Sequence, residues 1–96
     1  MWLSLSKQHP AFAGHFPGYP LAPGVVILDV VIKELKAVYS QCLNVDRIAF
    51  AKFNQPLFPD MPFRVQFETI ETGRVKFHVT GKDDENIASG QISYSV

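Results

Sequence analysis

His15-Phe16-Pro17-Gly18-Tyr19-Pro20-Leu21-Ala22-Pro23-Gly24-Val25-Val26-Ile27-Leu28-Asp29 is the most constrained stretch of the chain, and its two halves differ in character. In the first half Pro17, Pro20 and Pro23 each fix φ and withhold a backbone donor, while Gly18 and Gly24 open positions that a side chain would block. That composition makes a rigid loop. In the second half Gly24 leads into Val-Val-Ile-Leu-Asp-Val-Val-Ile, apolar on every side except for Asp29, which suits a helix buried all round or a central strand. The succeeding Lys33-Glu34-Leu35-Lys36-Ala37 favours helix, so a helix is expected from about Val25 to Ser40. A carboxylate within such a run is costly unless it is paired, hydrogen-bonded or protonated. A rigid loop carrying His15 and a buried helix carrying Asp29 are therefore candidates for the two halves of an acid/base site.

Residue by residue, His-Phe-Pro-Gly at 15–18, Pro23-Gly24 and then four residues to Asp29 resemble the motif of the 3-hydroxyacyl-[acyl-carrier-protein] dehydratases of bacterial fatty-acid synthesis. That family has a branch with Glu and a branch with Asp at the acid position; Asp29 resembles the second, while the wider surroundings resemble the Glu branch or a divergent dehydratase-like protein. The resemblance implies an α+β hotdog fold, an antiparallel sheet wrapped around one long central helix. It also implies roles. His15 would remove the C2 proton and Asp29 would handle the departing C3 hydroxyl, the two being catalytic. The backbone carbonyl of Leu21 would orient the histidine, and the Gly24 amide would receive the thioester carbonyl, with Val25 and Lys33 completing the substrate-binding set. The Gly24 assignment has an independent physical reason, since a helix N-terminus offers unpaired amides to an oxygen that gains negative charge as the C2 proton leaves. The dehydratases usually carry Gln one turn after the acid. This chain has Lys33 there, able to form an i,i+4 ion pair that favours the ionised Asp29 and weakens it as a proton donor, or to extend from the helix rim into solvent.

Composition limits the remaining possibilities. The 96 residues are read as one hotdog domain spanning 1–96, small enough that a partner chain would enlarge its core. Nine Lys and Arg against nine Asp and Glu argue against a general nucleic-acid or membrane-surface binder. The single Cys42 excludes an internal disulfide and a thiolate metal cluster and fits a reducing compartment, and no apolar run approaches the roughly 20 residues of a membrane span. A cytoplasmic protein without membrane insertion is expected. No metal or organic cofactor is required, because the thioester itself acidifies the C2 proton.

Outside the central stretch, Trp2–Lys7 alternates loosely and predicts a first strand, while His9 lacks any carboxylate or rigid frame and is taken for a loop histidine. From Arg47 the periodicity changes to two: Arg47–Phe53 predicts a strand with little polarity on either face, followed by a proline-punctuated turn over Asn54–Pro62. Phe63, Val65, Phe67 and Thr69, then Val75, Phe77 and Val79, then Ala88, Gly90, Ile92 and Tyr94 alternate with polar residues, as expected of three strands with one covered face. Glu71-Thr72-Gly73 and Lys82–Asn86 are the connecting turns, and the acidic run in the second is expected to be solvated rather than a metal site.

The expected activity is reversible dehydration of a 3-hydroxyacyl thioester, carried on acyl carrier protein or coenzyme A, to the trans-2-enoyl thioester. A hotdog acyl thioesterase and an inactive acyl-binding or accessory subunit are the alternatives, the second kept open by Lys33. Lys33, Lys36, Arg47 and Lys52 are candidates for a basic rim that docks an acidic carrier protein. A homodimer or larger homo-oligomer is expected: a wrapped sheet leaves an unpaired edge, and the resemblance implies that His15 of one copy faces Asp29 of the other.

Overall fold

Branched and aromatic residues alternate with polar ones along the last three strands of the chain, which with a preceding strand make four consecutive antiparallel strands behind one helix. The computed structural model describes residues 2–6, 24–40 and 43–95. Helix α1 covers Gly24–Val38, and β1 covers Asn44–Phe53, β2 Phe63–Glu71, β3 Arg74–Gly81 and β4 Asn86–Ser95. The strand order is β1-β4-β3-β2, so β2, β3 and β4 form a meander and β1 joins it on the far side of β4.

The pleat carries the core. On β3 Val75, Phe77 and Val79 are fully buried, and they meet Ile87, Ala88 and Ile92 of β4 and Phe63 of β2 in one apolar cluster. The helix contributes Ile27, Val31 and Leu35 to that cluster, a repeat of four that keeps one face toward the sheet. At the helix end Tyr39 N–H donates to the Leu35 carbonyl at 2.9 Å, and the Tyr39 hydroxyl bonds Thr69 Oγ1 at 3.0 Å. The Tyr39 ring meets Phe67 edge-on at 6.2 Å and Tyr94 at 5.8 Å, which ties the last turn to the sheet. Gly90 is required where it stands, because a Cβ there would collide with the Phe50 carbonyl and the Phe77 ring.

Three expectations are corrected. Trp2–Lys7 does not form a strand over its described part: Leu3 makes an isolated bridge to Phe63, with Leu3 N–H on the Phe63 carbonyl at 2.7 Å and Phe63 N–H on the Leu3 carbonyl at 2.9 Å. The facing chain runs through Pro59 and Pro62, which have no N–H with which to extend a ladder. Strand β1 does not keep period two. Register shifts between Val45 and Arg47 and between Ile48 and Phe50 bring Val45, Ile48 and Ala51 onto the core and leave Phe50 and Phe53 nearly half exposed.

The third correction concerns α1, which is not buried all round. A single sheet covers one side of a helix, and Val25, Asp29, Lys33 and Ala37 lie exposed on the other. Gln41 and Cys42 lie outside the described residues, and β1 begins at Asn44, three residues before the Arg47 expected from the sequence.

Candidate active site

Two stripes with the same spacing run along α1. Ile27, Val31 and Leu35 face the sheet, and Val25, Asp29 and Lys33 are offset from them by two residues, about 200° around the axis at 3.6 residues per turn. Three of the candidate residues thus share the open stripe, with Gly24 at the head of the helix. Val25 is 72% exposed, and Asp29 projects its carboxylate outward with 62% of its side chain accessible. The desolvated carboxylate foreseen from the apolar run is therefore not a property of this chain alone. Lys33 Nζ lies 3.1 Å from Asp29 Oδ2, so the i,i+4 ion pair forms. His15 and Leu21 lie outside the described residues.

Gly24 opens a cleft of about 350 Å³ lined with Ile27, Phe53, Asn54, Gln55, Pro56 and Leu57. The Phe53 ring packs directly on Gly24: a Cβ built there would stand 2.9 Å from its Cζ and 3.1 and 3.3 Å from its Cε atoms. Sequence reasoning placed Phe53 in a strand and gave it no role. Its only sequence signal is its position, the last residue of an aromatic strand before the Asn-Gln-Pro turn. A second cleft, of about 310 Å³, runs beside Val30, Lys33 and Glu34 against Leu3, Ser4, Leu5 and Phe63. Lys33 thus stands between the carboxylate and an apolar hollow.

Of the basic-rim candidates, Lys33 and Lys36 are on α1, and Arg47 and Lys52 are exposed on β1. His78 on β3 sits 3.9 Å from the Glu68 carboxylate. Among the described residues no group of three His, Cys, Asp or Glu side chains converges to hold a metal, and no helix is long and apolar enough to cross a membrane.

Residues 1–91 match the family model of the ApeI-like proteins, described as ApeI dehydratase, and the chain belongs to that family. It is 34% identical to the 3-hydroxyacyl-[acyl-carrier-protein] dehydratase FabZ of Geotalea uraniireducens, across 82% of this chain and 61% of that protein. The FabZ of Chlamydia trachomatis is 32% identical across 95% of this chain and 67% of its own length. The chain thus spans about three fifths to two thirds of these curated relatives. In three dimensions it matches a chain of the dehydratase heterocomplex ApeI:P from Xenorhabdus doucetiae, with a TM-score of 0.86 and 25% identity, covering 99% of this chain and 84% of that one. The one-helix, four-stranded antiparallel arrangement is the hotdog fold.

Proposed function

We propose that the chain is a subunit of a dehydratase that converts 3-hydroxyacyl thioesters, held on acyl carrier protein or coenzyme A, to trans-2-enoyl thioesters in fatty-acid or related acyl-chain synthesis. The observation that carries this reading is the placement of Asp29 on the open stripe of α1, five residues below the Gly24 amide at the head of the same helix. One proton acceptor, one acid and one donor to the carbonyl are what the reaction requires. His15 takes the proton from C2, the electron pair forms the C2–C3 double bond, and the C3–O bond breaks as Asp29 gives the hydroxyl the proton that makes it water. The Gly24 amide receives the negative charge that gathers on the thioester oxygen. The ApeI-like family and the FabZ relatives support the reaction type.

Because Asp29 points away from its own core, its histidine is expected from a second chain lying across the open stripe, and Val25 would be covered in the same step. In a homodimer the partner's loop is a copy of residues 15–24. The Xenorhabdus relative is a heterocomplex, which favours, as a second reading, a different dehydratase-like subunit in that place. An acidic carrier protein would approach over Lys36, Arg47 and Lys52.

The test is a mixing experiment. His15→Ala and Asp29→Asn are each assayed alone with 3-hydroxyacyl and enoyl thioesters of several lengths, following hydration, dehydration and thiol release together. Each is expected to be inactive. The two are then mixed under conditions that exchange subunits, and recovery of up to half the parental sites supports a site shared between copies. Continued inactivity despite proven exchange would overturn the sharing. Thiol release without dehydration by the parent would replace the reading with a thioesterase.

A further inference from the structure

Phe53 is an unusual terminus for a strand. Its backbone pairs with Ala88, and the next two amides, of Asn54 and Gln55, both donate to the Ile87 carbonyl at 2.8 and 3.3 Å. The main chain at this point is fixed. The side chain is held differently, with one side of the ring on Gly24 and nearly half of the residue open to the surroundings. The ring lines the cleft together with Gly24, Ile27, Asn54, Gln55, Pro56 and Leu57, and it sits directly against Gly24. Three ring carbons within 3.3 Å of the absent Gly24 Cβ mean that a single added carbon beside Gly24 already meets the ring.

We infer that Phe53 is a specificity-determining residue that restricts the cleft to acyl thioesters unsubstituted at C2. This rests on the dehydratase reading, in which the Gly24 amide receives the thioester carbonyl oxygen. C2 is bonded to that carbonyl carbon, so a methyl branch on it is brought up against the ring that packs on Gly24. An unbranched chain has only hydrogens there. The restriction acts on the width of the substrate beside the carbonyl and leaves its length to the rest of the cleft.

The experiment compares straight-chain and 2-methyl-branched 3-hydroxyacyl thioesters, which both keep the C2 proton, on the purified assembly with Phe53 intact and with Phe53→Ala. A methyl group in a tight apolar site is worth roughly 10- to 200-fold in kcat/KM, so the parent should prefer the straight chain by a factor in that range. Phe53→Ala should reduce that preference by about tenfold or more, chiefly through faster turnover of the branched substrate. Phe53→Leu should give an intermediate ratio and serves in its place if the alanine variant does not fold.

A parallel arm measures the Kd of two unreactive pantetheine thioethers that keep the carbonyl but separate it from sulfur by a methylene, one with a straight chain and one with a methyl branch on the chain carbon beside the carbonyl. Preferential binding of the straight thioether that Phe53→Ala relaxes supports the wall even in a protein that dehydrates nothing, in which case the reaction reading alone has failed. A parent that binds both thioethers equally, or neither, overturns the inference. So does a substrate preference that stays within about twofold of the parental one in both Phe53 variants.

Discussion

The two stripes of α1 have the same length, the same spacing and the same helix beneath them, yet they are built to different requirements. Ile27, Val31 and Leu35 are at most 4% exposed and belong to the apolar cluster of their own chain. Val25, Asp29 and Lys33 are exposed and present an apolar residue, an acid and a base in succession. Volume decides the first stripe. The second is exposed, and packing volume does not decide it. Substitutions on the two stripes should therefore separate stability from activity.

The largest effect belongs to the open stripe. Asp29→Asn removes the acid of one proton-transfer step and is expected to lower dehydration by about 10²- to 10⁴-fold, measured as kcat/KM on the best thioester of the parent. Its unfolding midpoint should stay close to the parental value, because the carboxylate is mostly solvated in the chain and its removal leaves no hole. A fall in stability as large as that of a core variant would show instead that the open stripe is packing surface.

Leu35→Ala is the opposite case. The side chain is fully buried, and its truncation should cost about 2–5 kcal/mol, part transfer and part cavity. For a domain of this size that is a drop in Tm on the order of 10 °C or more by calorimetry. The activity that survives, measured well below the new Tm, should have an unaltered dependence on chain length. A changed dependence would mean that the buried stripe also shapes the substrate site.

The contrast between the stripes also explains what was legible in the sequence. The alternation in β2, β3 and β4, the hairpin turns and the helix after Gly24 follow from local patterns, because the side chains of those strands have only two directions to choose from. The exposure of α1 does not follow. Val25 and Val26 are equally apolar, and which of them meets the sheet depends on the packing of the whole helix, with its phase set by Ile27, Val31 and Leu35. The bulges of β1 were hidden for a similar reason: Ile48, Phe50 and Phe53 fit either phase, and the register with β4 selects one. In the site, the helical spacing of Asp29 and Lys33 allowed their ion pair but did not choose it over a lysine extended into solvent. The contact between Phe53 and Gly24 joins two residues far apart in sequence, and no local pattern announces it.

The smallest expected effect tests the one pair that bridges charge and chemistry on the open stripe. Lys33 and Asp29 form an ion pair at 3.1 Å with side chains 75% and 62% exposed, and an exposed i,i+4 pair contributes no more than about 0.5 kcal/mol to a helix. Lys33→Gln should therefore leave the denaturation midpoint almost unmoved, and added salt should not separate the variant from the parent. Turnover is where the substitution is expected to register. The Lys33 ammonium occupies one oxygen of the carboxylate that the proposed step brings to the leaving hydroxyl, so freeing that oxygen should raise the dehydration rate while leaving thiol release at background. Lys33→Arg, which keeps a cation, should behave like the parent. If Lys33→Gln instead lowers the rate and Lys33→Arg restores it, the lysine positions the carboxylate for the reaction, and the pair belongs to the active machinery of the open stripe rather than restraining it.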